Sequence, residues 1–181
     1  AAYVCEDANL EKTVKNLVSG SFYNSGQSCC AVERIYVHEK VYDSFCQEFT
    51  KETEKLIIEE PTHDSCDLGP LARKDQINYL DKQLEDAVSK GANYLVKPRQ
   101  MPIKGNYFSP VALIGVDHSM KIMQEESFGP IIGIQKVSND HEAIKLMEDS
   151  RYGLTASVHS NDRARATQIL SQLKVGTAYW N

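Results

Sequence analysis

The stretch whose reading decides the fold runs from 131 to 180. Ile131-Ile132-Gly133-Ile134-Gln135-Lys136-Val137 is followed by Ser138-Asn139-Asp140-His141-Glu142-Ala143-Ile144-Lys145-Leu146-Met147, then Ala156-Ser157-Val158, then Asp162 to Leu173, then Gly176-Thr177-Ala178-Tyr179-Trp180. A β-branched run of strand length comes first. Asn139 and Glu142 then stand three apart, as in a capping box, ahead of Ala143, Ile144 and Met147 at helical spacing. Another short strand, another helical stripe (Ala166, Ile169, Leu170, Leu173) and a last strand close the stretch. Strand, helix, strand, helix, strand in this rhythm predicts βαβ units, which only a mainly parallel sheet with helices on both faces accommodates.

Working outward, the same alternation holds. Tyr3-Val4-Cys5 reads as a strand, with Asp7 or Asn9 as N-cap for a helix carrying Leu10, Val14, Leu17 and Val18 to about Ser21. Ser21–Cys30 loses periodicity, Ile35-Tyr36-Val37 is a strand, and Val41, Phe45 and Phe49 mark a helix reaching Leu56. Residues 61–70 read as loop. Ile77, Leu80, Leu84, Ala87 and Val88 form a helical stripe closed by Gly91. Tyr94-Leu95-Val96 and Phe108–Ile114 read as strands, joined by an exposed connection over Pro98–Asn106. No linker or repeat divides the chain, so residues 1–181 are expected to form one α/β domain.

Composition narrows the function. The 181 residues are 41% apolar and 25% charged, with 20 Lys+Arg against 25 Asp+Glu and a net charge of −5. That balance gives no basic surface for nucleic acid. The longest apolar runs, around Pro110–Gly115 and Pro130–Ile134, are far short of a bilayer span. Five cysteines at irregular spacing (Cys5, Cys29, Cys30, Cys46, Cys66) fit free thiols in a reducing cytosol, without metal-ligand spacing. Both ends start or stop directly in strand-like runs with no leader and no polar tail, as expected of a piece cut from a longer chain.

Two segments hold the candidate chemistry. Gly26-Gln27-Ser28-Cys29-Cys30 is a turn-rich loop holding adjacent cysteines. The thiolate of such a residue is the most nucleophilic group a chain offers, while an unpaired cysteine is equally at home as a small buried hydrophobe. Gln124-Glu125-Glu126-Ser127-Phe128-Gly129-Pro130 pairs two carboxylates with an aromatic residue and a turn. Such a carboxylate suits ribose hydroxyls; the alternative is a solvated acidic loop. The five histidines stand singly and are expected on the surface, although a Cys–His hydrolase needs its partners close only in space. Arg151, Arg163 and Arg165 read as the exposed side of a helix, and no GxxxxGK[ST] run offers a phosphate site.

These segments together resemble the catalytic domain of the NAD(P)-dependent aldehyde dehydrogenase superfamily. Phe22-Tyr23-Asn24-Ser25-Gly26-Gln27-Ser28-Cys29 followed by Glu33-Arg34-Ile35-Tyr36-Val37 is similar to the family's F-x-x-x-G-Q-x-C and R-x-x-V signature, and Glu125–Pro130 to E-E-x-F-G-P. Asp67–Leu71, Tyr152–Ala156 and Gly176–Asn181 resemble three further family runs in the family's order. The resemblance implies that Cys29 is the nucleophile and that Ser28 and Cys30 flank it. It implies that Glu126 holds the nicotinamide-side ribose of NAD or NADP, that Phe128 packs beside it, and that no metal takes part. The reaction implied is oxidation of an aldehyde to a carboxylic acid through a thiohemiacetal and a thioester. Ser127 departs from the aliphatic residue usual at its position. The resemblance also implies a cytoplasmic, homo-oligomeric parent more than twice as long. Its dinucleotide-binding portion and general base would lie outside these residues, leaving the isolated chain without turnover. Two other readings stay open: a cysteine-dependent hydrolase or acyltransferase, and a non-enzymatic interaction domain. On the first reading Cys29 should face a cleft near Glu126 and Phe128, at the carboxyl ends of the strands.

Overall fold

The computed structural model describes residues 1–101 and 104–181. In chain order the elements are β1 (Ala2–Val4), α1 (Leu10–Phe22), a 3-10 turn (Tyr23–Gly26), β2 (Arg34–His38), α2 (Glu39–Glu54), α3 (Asp75–Ser89), β3 (Asn93–Val96) and β4 (Val111–Ile114). After these come α4 (Lys121–Gln124), β5 (Ile131–Val137), α5 (Asp140–Glu148), β6 (Thr155–His159), α6 (Arg163–Leu170) and β7 (Thr177–Trp180). The strands form one sheet in the order β3-β4-β5-β2-β1-β6-β7. All neighbouring pairs run parallel except β3 against β4.

Period-two alternation sorts the strand residues onto two faces. Ala2, Val4, Ile35, Val37, Ala112, Ile132 and Ile134 pack with α1 and α2. Tyr3, Tyr36, Val111, Leu113, Ile131 and Val137 pack with α3, α4, α5 and α6. Phe22 and Phe45 each pack against Phe49 with tilted rings beneath the first layer, at centroid distances of 6.0 and 5.6 Å. The helix starts follow the sequence signals. Asn9 Oδ1 accepts the Lys12 N–H at 3.1 Å, and Asn139 Oδ1 accepts that of Glu142 at 2.9 Å. The return bond of the capping box reaches Ser138 instead of the cap itself, with Glu142 Oε2 accepting the Ser138 N–H at 2.7 Å.

One expected boundary shifts and one short helix is added. The strand read over 108–114 begins only at Val111, because Pro110 has no N–H to give a ladder. Helix α4 has four residues, too few to show a period; its Ile122 and Met123 are buried all the same. The connection read over Pro98–Asn106 includes Pro102 and Ile103, which lie outside the described residues.

Candidate active site

The loop between α1 and β2 takes an unusual course. Asn24, Ser25 and Gly26 all have left-handed backbone, with φ of 51°, 55° and 72°. Gly26 is required there twice over: besides its φ, a Cβ would lie 2.2 Å from the carbonyl oxygen of Gly129. The loop holding the cysteines is thus seated backbone against backbone on the Glu125–Pro130 turn. Ser25 Oγ donates to the Gly69 carbonyl at 2.7 Å, and Gln27 Oε1 accepts the Ala72 N–H at 2.8 Å. Three of the motifs therefore meet at one place, although they are dozens of residues apart in the chain.

A cleft of about 170 Å³ opens beside this junction, with Cys29, Glu33, Arg34, Glu126 and Tyr152 among the residues that line it. Cys29 and Cys30 are exposed, and their sulfurs lie 3.8 Å apart. The Cys30 thiol is held above the ordinary cysteine range, first by its hydrogen bond to Cys29 and then by repulsion from that sulfur. Among the described residues nothing accepts the Cys29 N–H, which leaves it free to meet a developing oxyanion. Cys5 and Cys46 behave as buried hydrophobes, and burial pushes their thiols up to about 12 and about 11.

The acidic turn is tied from beneath. Glu33, the residue before β2, accepts the Ser127 N–H at 3.0 Å through Oε2 and the Phe128 N–H at 3.1 Å through Oε1. Burial raises the Glu33 carboxyl above the usual glutamate range, while those two bonds pull it back down. Gln76 Nε2 donates to the Ser127 carbonyl at 2.6 Å, Tyr79 Oη to Glu125 Oε2 at 3.1 Å, and the Glu126 N–H to Tyr152 Oη at 3.3 Å. Ser127 is buried, and its hydroxyl donates to Gln83 Oε1 at 2.8 Å. That departure from the usual aliphatic residue is thus met behind the turn and does not face the cleft. Phe128 sits at φ 48° and is 38% exposed, outside the residues that line the cleft.

The structure brings Cys29 and Glu126 together as expected, but it corrects their position in the fold. The cleft borders Arg34 and Thr155, the first residues of β2 and β6, so it lies at the amino ends of the strands. Its walls are loops that lead from helices into strands: α1 to β2, α4 to β5, and α5 to β6. The carboxyl ends hold an ion-pair cluster. Arg165 Nη2 lies 2.6 Å from both Glu6 Oε2 and Asp140 Oδ1, and Tyr3 Oη donates to Asp140 at 2.7 Å. Arg165 is therefore a network residue and not part of an exposed helix side.

Of the histidines, His63 and His141 are exposed as expected, and the other three are corrected. His38 and His159 are buried, and burial lowers the His159 ring to about 4. His118 bridges Asp149 Oδ2 at 2.6 Å and Tyr36 Oη at 2.8 Å. None of the residues lining the Cys29 cleft is a histidine; His159 lines the neighbouring groove, beside Cys30. Glu33 and Tyr152 stand within the quoted motif segments, but motif reading gave neither a role in the site. The signal for Glu33 was a carboxylate placed directly before a buried strand. Among the described residues, no three His, Cys, Asp or Glu side chains cluster to hold a metal ion, and no helix is long and apolar enough to cross a membrane.

Fold and cleft together define a parallel α/β domain built to present a free thiol beside a carboxylate. Residues 1–181 match the aldehyde dehydrogenase family along their whole length, and the chain belongs to that family. It is 34% identical over 183 residues to a D-glyceraldehyde dehydrogenase (NADP(+)) of Thermoplasma acidophilum, covering 98% of this chain and 37% of that one. Among solved structures it superposes on an NADP-dependent glyceraldehyde-3-phosphate dehydrogenase from Bacillus halodurans C-125 complexed with NADP. That match has a TM-score of 0.93 and 35% identity, over 99% of this chain and 37% of the other. It superposes likewise on a betaine aldehyde dehydrogenase from Staphylococcus aureus in complex with NAD+, with a TM-score of 0.93 and 29% identity, over 99% and 36%. The chain spans less than two fifths of the length of these relatives.

Proposed function

We propose that these 181 residues are the cysteine-bearing catalytic domain of a longer enzyme that oxidises an aldehyde to a carboxylic acid with NAD or NADP. The observation that carries the reading is the shared cleft: the exposed Cys29 thiol and Glu126 line one opening. The Cys29 thiolate adds to the aldehyde carbonyl, and the oxyanion of the thiohemiacetal meets the Cys29 N–H. Loss of hydride from that carbon leaves a thioester on Cys29, which water hydrolyses to the acid. The nicotinamide cofactor supplies the hydride acceptor when bound. Glu126 fits its ribose, since a carboxylate accepts from two hydroxyls; Phe128, on the same turn but outside the cleft lining, is the aromatic face that would pack beside it. A cleft of about 170 Å³ suits one end of a dinucleotide and not the whole. The rest of the cofactor site and the base that activates water belong to the remaining part of the parent, which we place in the cytosol as a homo-oligomer.

An isotope-labelled aldehyde added to the purified chain tests the chemistry. A hemithioacetal carbon signal is expected, and Cys29→Ala should abolish it. Iodoacetamide should label Cys29 before Cys46 or Cys66. Equal labelling of all three would favour a non-enzymatic domain. An acyl adduct on Cys29 that turns over without nicotinamide would favour a hydrolase. Steady NAD(P) reduction by the isolated chain would overturn the assignment of the missing parts.

A further inference from the structure

We propose that Glu33 is a positioning residue for cofactor binding: it anchors the turn that presents Glu126 to the Cys29 cleft. The role rests on the reading of Glu126 given above. Two successive N–H groups, those of Ser127 and Phe128, converge on one carboxylate at 3.0 and 3.1 Å. Phe128 is in the left-handed region at φ 48°, and with the Ser127 and Phe128 N–H groups aimed at one carboxylate the turn makes an anion-binding concavity. Here the anion is supplied by the chain itself. Among the described residues no cation forms an ion pair with Glu33, so these two donors carry the compensation for its partial burial.

Glu33 lies four residues beyond Cys29 and directly precedes β2, so the anchor also joins the nucleophile's loop to the carboxylate's turn. Glu126 precedes the first anchored N–H directly, and its own N–H is taken by Tyr152. With three consecutive N–H groups fixed, the backbone that launches the Glu126 side chain has one course. A neutral amide at position 33 cannot reproduce this. Its oxygen accepts one N–H, and its NH₂ then opposes the other.

The test pairs Glu33→Gln with Glu126→Gln in the complete dehydrogenase and follows amide exchange in the 181-residue chain. Glu33→Gln is expected to raise KM for the nicotinamide cofactor by about tenfold, the loss typical of a charge-assisted hydrogen bond. In the chain, hydrogen exchange at Ser127 and Phe128 should accelerate by a similar factor. Faster exchange with an unchanged KM would make Glu33 merely structural and overturn the proposal, and unchanged exchange would overturn the anchor itself. A Glu126→Gln enzyme with normal KM would sink the reading of Glu126, and with it this role, while leaving the two hydrogen bonds standing. If Glu33→Gln does not fold, the unaltered chain decides. The Ser127 and Phe128 amide protons should move together through one ionisation, distinct from any at Glu125, Glu126, Cys29 or Tyr152 around the same cleft. Separate movement of the two signals would refute the anchor.

Discussion

Replacing Gly26 by alanine tests whether the cysteine loop and the acidic turn are one body. The glycine has φ 72°, where an L side chain costs about 1–2 kcal/mol. Its added methyl would also meet the Gly129 carbonyl oxygen at 2.2 Å and the Gly129 carbonyl carbon at 2.4 Å. Both are backbone atoms that cannot swing aside, so the turn must move as a unit, an overpacking cost of about 1–3 kcal/mol. The two together predict a loss of roughly 2–5 kcal/mol, or about 5–15 °C in Tm for a chain of this size. Gly91→Ala is the matched control. It also has a positive φ, 101°, but nothing lies within 4 Å of its Cβ position, so only the backbone cost of about 1–2 kcal/mol applies. Urea unfolding of both variants isolates the contact as their difference. Gly26→Ala should also slow aldehyde addition at Cys29, whereas Gly91→Ala should not. Equal losses of stability in the two variants would refute the close approach of the motifs.

Two pH-linked predictions follow from the buried and paired groups. The His159 ring titrates at about 4 in the folded chain and near 6.5 when unfolded. As pH drops from 8 to 4 the unfolded chain takes up a proton that the folded one refuses, so stability should fall by about 3 kcal/mol; a His159→Gln chain should lose that part of the slope in urea midpoints. Glu6 and Asp140 are held below the ordinary carboxylate range, with Arg165 bonded to both. Their contribution is fully present above the unfolded carboxylate values near 4 and is lost as pH falls through the lowered ones. Arg165→Ala should cost about 1–3 kcal/mol at pH 7 and flatten the acid limb below pH 4, as read by thermal unfolding; an unchanged acid limb would show that the cluster adds nothing.

Much of this was legible along the chain because the signals are local. Strand periodicity placed β2, β5 and β6 to within a residue or two, and Asn9 and Asn139 marked their helices as caps do. The pairing of Cys29 with Glu126 was reachable only through motif resemblance, since no local rule links residues 97 positions apart. Glu33 escaped because its partners are backbone N–H groups, which leave no mark in a sequence. His38, His118 and His159 escaped for a related reason. A lone histidine in a polar stretch looks solvated, yet His159 ends a central strand, and the sheet and helices enclose it whatever its polarity. Arg165 looked exposed from its own helix; the carboxylates that hold it come from the segments after β1 and β5.

The misplacement of the cleft follows from the same topology. Ligand sites in open α/β sheets usually form from the loops that leave the strands, and in this chain that edge is already occupied by charge. Arg165 with Glu6, Asp7 and Asp140 fills it with mutually satisfied groups, and Ser160 adds hydrogen bonds to Asp7. The opposite edge is assembled differently. Because β5, β2, β1 and β6 are consecutive and parallel, the loops entering β5, β2 and β6 emerge side by side. Those are the loops of Glu126, Cys29 and Tyr152. Strand order alone thus gathers residues from three distant parts of the chain at the amino edge. Gly26 lets two of these loops touch, and Glu33 ties them. A parallel sheet can therefore open a cleft at its amino edge when its carboxyl edge is filled by paired charges.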